Sequence, residues 1–426
     1  MDIISKKNDG QTLSFEEINF MVEGYLGEDI DDNEMSAFLR AVYLNDLESD
    51  ETIALTRSML ETGKVLDLSD IEGFKIDKHS TGGVGDKLSL IVVPLLAATG
   101  VKVPKLSGHA LGHTGGTIDK LQAIPGFTTV LTIEQFKYQL KAVGAVIAGQ
   151  SRDFTPADGK IYALRDRTDT VSSIPLIASS IMSKKLAAGS DGIVLDIKVG
   201  SGAFMKDLSD AVKLAETMIE IAKATGIGAT AILTNMDEPL GKAIGDSNEV
   251  AEAIETLKGK GPVDVRELTL VVGSLMLILA GGARSIDEAK GILSKKLDDG
   301  GGLRKFREII IAQGGDDRVV EDNSLLPMGI DKKIFYKGQA GYLRFKDVEY
   351  LGHAYRVLSM DEHGEYRPGA GLNLLKKAGD EVGAGEDLIE IVHSGGDIDL
   401  AFSYIDKGIE IVDSPMKEPL IYDIIR

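Results

Sequence analysis

The chain has 426 residues, 43% of them hydrophobic, with 47 Lys and Arg against 67 Asp and Glu, a net charge of −20 and no Cys. That length buries a large core divided among two or three domains, and the absence of Cys excludes disulfides and fits a reducing cytoplasm. The strong negative charge argues against nonspecific binding to nucleic acid or anionic membranes, no apolar run reaches the ~18 residues that span a bilayer, and Met1-Asp2-Ile3-Ile4-Ser5-Lys6-Lys7 lacks a secretory apolar region, so a cytoplasmic location is expected.

Ser14-Phe15-Glu16-Glu17 is a capping box that opens a helix toward Tyr25, and amphipathic stretches follow around 33–46 and 50–63. From Phe74 the pattern changes. Short buried strands are predicted at 75–77, 101–103, 145–148, 193–198 and 230–234, alternating with helices at 134–142, 209–224 and 249–258, which describes an α/β domain with ligand loops at its strand ends. Residues 157–187 are more helical, and the last hundred carry glycine-punctuated strand patterns such as Gln339-Ala340-Gly341-Tyr342-Leu343. Glycine and polar residues interrupt the patterns at 66–73, 150–156 and 188–190, where hinges are expected. The chain contains no low-complexity linker and no internal repeat.

The densest chemistry lies between Lys78 and Phe127. Lys78-His79-Ser80-Thr81-Gly82-Gly83-Val84-Gly85-Asp86-Lys87-Leu88-Ser89 precedes an apolar run that starts a helix at Leu88, and Ser107-Gly108-His109-Ala110-Leu111-Gly112-His113-Thr114-Gly115-Gly116-Thr117 repeats the glycine pair. Glycines at 82, 83 and 85 let the backbone turn tightly and bring N–H groups close to an anion, with the helix N-terminus adding its own positive pole. Lys78 adds charge, and Ser80, Ser89, Ser107 and Thr117 add hydroxyl donors, so phosphate is the expected ligand. Either segment alone reads as an ordinary glycine-rich turn; two together, each bracketed by Ser or Thr and Lys, do not. A Walker loop is excluded because Asp86 separates Gly85 from Lys87. The dinucleotide fingerprint is excluded because Leu88 stands where its third glycine belongs.

These blocks resemble the pyrimidine-nucleoside phosphorylases, the group that includes thymidine phosphorylase. The likeness covers essentially the whole chain. It runs from Asp2-Ile3-Ile4 and Gly24-Tyr25 through both glycine segments to Tyr162-Ala163-Leu164-Arg165-Asp166, Ser172-Ser173-Ile174-Pro175-Leu176-Ile177, Ser179-Ser180-Ile181-Met182-Ser183-Lys184-Lys185, the 196–205 stretch and Ile391-Val392-His393-Ser394. The resemblance implies a helical N-terminal domain (1–65 and 157–187) on the pyrimidine side, a large α/β phosphate-binding domain (74–150 and 191–330), and a C-terminal barrel-sandwich-like α+β module (331–426) related to lipoyl carriers. No lysine sits in a convincing carrier turn, so the module is assigned a structural role.

The resemblance also implies reversible phosphorolysis in nucleoside salvage. Inorganic phosphate attacks C1′ of a pyrimidine nucleoside, giving free base and a ribose or deoxyribose 1-phosphate with inversion and no covalent enzyme intermediate. Negative charge builds on the departing base, so donors aimed at it lower the barrier. By resemblance Arg165, Ser180 and Lys184 hold the pyrimidine edge, with Leu111 and Phe204 beside it. His79 is the general acid or hydrogen-bond donor near the base O2, and Lys78, Ser80, Ser89, Lys105, Ser107 and Thr117 contact phosphate. Interdomain closure would bring the two substrates together and exclude water. A homodimer formed through the helical region is implied as well.

The resemblance further implies a monovalent cation, a structural K+ ion held by Gly85, position 87, Leu240, Ala243 and Glu252, with no other cofactor required. Position 87 is Lys here. Three readings stand open: a ligand through its backbone oxygen, an ammonium in the ion's own place beside Glu252, or a solvated surface lysine. Two further departures occur. His109 replaces an Arg and Gln122 replaces a Glu of the family pattern, and the two are expected to touch, a neutral hydrogen bond in place of an ion pair. Competing readings are a phosphoribosyltransferase of related architecture, a phosphorylase of nucleoside monophosphates, and a catalytically silent nucleoside-binding homologue. The choice among uridine, thymidine and deoxyuridine rests on pocket placement that spacing does not reveal.

Overall fold

The computed structural model describes residues 2–109, 112, 113, 115–150, 154–360, 366 and 368–426. Helix α1 (Ile3–Asn8) leads into α2 (Phe15–Leu26), whose start is fixed by a reciprocal cap: the Ser14 hydroxyl accepts from the Glu17 N–H at 3.3 Å and the Glu17 carboxylate from the Ser14 N–H at 2.7 Å. Helices α3 (Asp32–Asn45) and α4 (Ser49–Glu61) follow, and buried Ile18, Met21, Val22, Met35, Phe38 and Leu39 recur at helical spacing, so one stripe of each helix closes on a shared core.

The chain then alternates strand and helix through β1 (Ile76–Ser80), α5 (Leu88–Ala97), β2 (Val103–Ser107), α6 (Thr117–Gln122), α7 (Ile133–Val143) and β3 (Ala145–Gly149). Helices α8 (Pro156–Arg167) and α9 (Ile174–Ala187) return to the first four: Ala157, Ile161, Leu164 and Leu176 share their core. After them come β4 (Gly192–Val199), α10 (Leu208–Ala224) and β5 (Gly228–Asn235). Strands β1, β4 and β5 pair in parallel in that order, and β2 pairs in parallel with β3 and reaches β1 through a Lys75–Lys102 bridge. Every residue of β4 is buried, as in a strand covered on both faces.

Two strands run differently from their sequence-based bounds. β1 continues to Ser80, three residues past 77, and β2 occupies Val103–Ser107 rather than 101–103. Their polar residues are paired inside the sheet: the Lys78 ammonium lies 2.9 Å from Asp196, and Lys105 donates to the Lys78 carbonyl at 2.7 Å.

β6 (Ala243–Gly245) and helices α11 (Ser247–Leu257), α12 (Val263–Leu279), α13 (Ile286–Asp298) and α14 (Gly301–Ala312) follow; Val265, Leu268, Phe306 and Ile309 join α5 in the largest core. Beyond them lie β7 (Asp331–Tyr336), β8 (Gly341–Phe345), α15 (Glu349–Ser359), β9 (Gly371–Leu374), β10 (Glu381–Val382), β11 (Asp387–His393), α16 (Ile398–Gly408), β12 (Ile409–Val412) and β13 (Ile421–Ile425). They form two small sheets, β6-β9-β11-β7 and β10-β8-β12, around a core with Leu351, Leu372 and Ile405.

The boundary at 331 needs correction twice. β6, before the boundary, belongs to a sheet of the module, whereas β13, after it, pairs antiparallel with β5 and closes the edge of the parallel sheet. The Lys377 ammonium donates to the carbonyls of Pro239 and Gly241 at 2.5 and 2.8 Å, which anchors the module to the α/β region.

The three segments expected as hinges meet one another. Leu66, Leu68, Ile71, Phe154 and Ala188 share one apolar cluster, and the Leu66 N–H donates to the Ala187 carbonyl at 2.8 Å. Residues 151–153 of the middle segment lie outside the described residues.

Candidate active site

A cavity of about 450 Å³ opens between the carboxyl ends of β1 and β2 and helices α8 and α9. His79, Ser80, Ser89, Lys105, Ser107 and Thr117 line it from the α/β side, Arg165, Ser180 and Lys184 from the helical side, and Phe204 from the loop after β4. Leu111 lies outside the described residues.

On the α/β side the glycine turn is required sterically. Gly82 has φ +88°, and a Cβ on Gly83 would fall 2.2 Å from Met236 Sδ. The Ser80 hydroxyl donates to Asp86 at 2.5 Å and accepts from the Gly82 N–H at 3.2 Å, which closes the turn. Burial works to raise the Asp86 pKa, but the Lys198, Lys78 and Lys120 charges outweigh it and hold that carboxyl well below the usual carboxylate range. Lys105, desolvated and crowded by Lys185 and Lys78 against a single partner, Asp77, has its pKa pushed down to about 7. Lys78 is a correction. Its side chain is fully buried behind the cavity wall, 2.9 Å from Asp196 and 3.7 Å from Asp86, so it neutralises those carboxylates instead of facing a ligand.

His79 is a correction in part. Burial, and then the Lys185, Lys105, Lys78 and Lys184 charges, depress its pKa well below 6.5, so the imidazole is neutral at physiological pH and is no imidazolium acid. It keeps one N–H to donate, and among the described residues its buried Nε2 has no hydrogen-bond partner.

On the helical side, Lys184 lies one turn after Ser180 on α9, donating to the Ser180 hydroxyl at 2.9 Å and to Asp158 at 2.7 Å. Arg165 spends three of its five N–H donors on the carbonyls of Thr170, Val171 and Leu176, at 3.4, 2.8 and 3.0 Å. Those bonds fix the turn between α8 and α9 and leave two donors on the guanidinium. The Tyr162 ring lies 5.6 Å from Arg165 Cζ and 5.8 Å from Lys184 Nζ and keeps both cations against the wall.

The expected contact between His109 and Gln122 is not made. His109 Nδ1 lies 2.6 Å from Asp119 Oδ1, while Gln122 donates to Thr129 at 3.3 Å. Gln122 faces an adjoining cavity of about 440 Å³ beside Asp246, Tyr355 and Tyr366. The residues expected around a cation do converge. Lys87 is 1% exposed, which overturns the reading of a solvated lysine, and its Nζ lies 2.8 Å from the Leu240 carbonyl, 3.0 Å from that of Ala243 and 2.5 Å from Glu252 Oε2. A Cβ on Gly85 would fall 2.6 Å from the Leu240 oxygen.

A larger cavity, about 880 Å³, lies beside that cluster, but Glu238, Glu252, Glu255, Asp264, Glu267, Asp380 and Glu418 outnumber Lys242, Lys260, Lys377 and Lys417 on its walls. Such a wall repels phosphate. The smaller cavity has the opposite balance, Lys105, Arg165, Lys184 and Lys185 against Asp86.

Comparison with known proteins agrees with this geometry. The helical bundle domain of the glycosyl transferase family matches residues 1–63 and its a/b domain residues 72–303. A pyrimidine-nucleoside phosphorylase of Staphylococcus aureus (strain bovine RF122 / ET3-1) is 47% identical over 429 residues, covering 100% of this chain and 99% of its own. That of strain MSSA476 is 46% identical over the same span. The chain belongs to the pyrimidine-nucleoside phosphorylase family. Anthranilate phosphoribosyltransferase from Thermus thermophilus, 18% identical with a TM-score of 0.60 over 74% of this chain and 99% of its own, shares the fold.

Sequence reasoning about this phosphorylase missed Lys185, Asp77, Asp158 and Tyr162 as members of the site. Lys185 Nζ lies 2.8 Å from Asp77 and 2.7 Å from the Leu106 carbonyl. The signal available was the Lys184-Lys185 pair: successive helical residues point about 100° apart, so the two ammonium groups need separate partners.

Proposed function

We propose that this chain catalyses the reversible phosphorolysis of pyrimidine nucleosides by inorganic phosphate, yielding free base and (deoxy)ribose 1-phosphate. The observation that carries it is the pairing, in one 450 Å³ cavity, of a hydroxyl-rich, lysine-bearing α/β wall with the Arg165, Ser180 and Lys184 cluster of α8 and α9. Phosphate is taken by the Ser89, Ser107 and Thr117 hydroxyls with Lys105. The pyrimidine edge is taken by Lys184, Ser180 and the two uncommitted donors of Arg165.

A phosphate oxygen attacks C1′ as the C1′–N bond breaks and the base leaves with the electron pair. Lys184, Arg165 and the neutral His79 N–H meet the charge that builds on its oxygens, and the released base then takes a proton from water. Exposed Phe20 (59%), Tyr43 (44%) and Leu44 (62%) on α2 and α3 favour a homodimer through the helical region. Among the described residues no helix is long and apolar enough to cross a membrane, and a cytoplasmic place in nucleoside salvage is part of this reading.

Ultraviolet-monitored base release from thymidine, deoxyuridine and uridine, each with and without phosphate, tests the proposal. Release only with phosphate, slowed by about 10–150-fold in Lys184→Ala, is expected, and the ratio among substrates reports sugar and base preference. Phosphate-independent release would replace phosphorolysis by hydrolysis.

A further inference from the structure

The family's monovalent cation does not fit the residues of this chain. The oxygens that would hold it, the carbonyls of Leu240 and Ala243 and the Glu252 carboxylate, are each within 3.0 Å of one atom, Lys87 Nζ. An ammonium has three protons, and three acceptors surround it, so its hydrogen-bonding capacity is filled. Glu252 is itself fixed, accepting from the Lys242 N–H at 2.9 and 3.2 Å. The backbone also crowds it on one side: a Cβ on Gly241 would fall 2.9 Å from Lys87 Nζ and 2.1 Å from Glu252 Oε2.

We infer that the Lys87 ammonium is a built-in replacement for the monovalent cation, so that this enzyme neither binds nor needs K+ or Na+ at the 240–252 segment. One positive charge and one set of oxygens are conserved, while the charge arrives on the chain. The position also matters mechanically. Lys87 follows directly on Asp86 and precedes α5, so its three bonds tie the end of the phosphate-side turn to the 240–252 segment at any salt composition.

The test uses melting temperature, which reads the site without any catalytic activity. Wild type and Lys87→Thr are melted in KCl, NaCl, RbCl and tetramethylammonium chloride at equal ionic strength. Wild type is expected to melt at one temperature in all four salts. Lys87→Thr is expected to melt lower in tetramethylammonium and to recover saturably, by about 2–4 °C, in at least one alkali chloride. A saturable rise of wild-type melting temperature with any alkali cation overturns the inference, as does a folded Lys87→Thr indifferent to all of them. If Lys87→Thr does not fold, wild-type crystals soaked in RbCl decide: an anomalous peak between the Leu240 and Ala243 carbonyls overturns it, and none there sustains it.

Discussion

Lys185 Nζ lies 2.8 Å from Asp77 Oδ2, and with that contact the carboxylate is committed to one lysine while a second, Lys105, stands 3.7 Å from its other oxygen. Two ammonium groups thus share one negative charge at the phosphate side of the cavity. In the proposed reaction an arriving phosphate neutralises the uncompensated charge; burial first, and then these lysine charges, keep His79 neutral.

If Lys105 holds phosphate as proposed, phosphate affinity is expected to depend on pH. With its pKa down to about 7, the side chain loses its charge as pH rises through neutrality, so kcat/KM for phosphate is expected to fall on that alkaline limb. Stability moves the other way. A lysine whose folded pKa lies below its unfolded value binds fewer protons folded than unfolded between about 7 and 10.5, so the phosphate-free protein gains stability with rising pH there, by at most about 1.4 kcal/mol per unit from this group. Urea melts at pH 7 and 9, with and without phosphate, check this; phosphate is expected to flatten the slope.

In the proposed reaction His79 serves as a neutral donor. His79→Phe is expected to lower kcat by about 10²–10³-fold, the usual loss of one donor to a developing charge, while His79→Asn retains more. Because the imidazole titrates well below 6.5, no acidic limb from His79 is expected in the wild-type profile between pH 6.5 and 8. A limb in that window, abolished in His79→Asn, would contradict the assignment.

In the proposed reaction Lys184 serves the base and not phosphate. Lys184→Ala is expected to lower kcat/KM for nucleoside by about 10–150-fold, the range for a hydrogen bond from a charged group, with the KM for phosphate nearly unchanged. Asp158→Asn, which frees the ammonium from its 2.7 Å partner, is expected to reproduce part of that loss through the same parameter. Initial rates with each substrate varied in turn separate the two effects.

Gly189 fixes the crossing between the two main regions. Its φ is +71°, and a Cβ there would fall 2.0 Å from the Leu66 carbonyl. Gly189→Ala is expected to destabilise by at least about 1–2 kcal/mol from the left-handed backbone alone, and to reduce kcat by shifting α9 and Lys184 against the α/β wall. A thermal melt and a progress curve on the same sample are sufficient.

Much of this arrangement was legible in the chain, for identifiable reasons. The capping box at Ser14 and Glu17 and the apolar spacing of α2 to α4 are local signals, and the structure realises them as written. The strand through Lys78, His79 and Ser80 was not legible, because three polar residues in a row read as a loop; their partners, Asp196 and Lys105, are remote in sequence. Lys78 shares its strand face with Ser80 but lies two residues farther from the carboxyl end of β1, with its ammonium 2.9 Å from Asp196, so Ser80 reaches the cavity and Lys78 does not. His109 and Gln122 were joined on charge bookkeeping alone, and the nearer Asp119 takes the imidazole. β13 was assigned to the wrong region for the opposite reason: a short apolar strand at the chain end carries no mark of which sheet edge it will cover.

The most direct test follows the phosphorus. With uridine or thymidine and inorganic phosphate in the presence of the enzyme, 31P NMR is expected to show the inorganic phosphate resonance giving way to that of a sugar 1-phosphate, mole for mole with free base. Base released while the inorganic phosphate resonance stays unchanged would contradict the account.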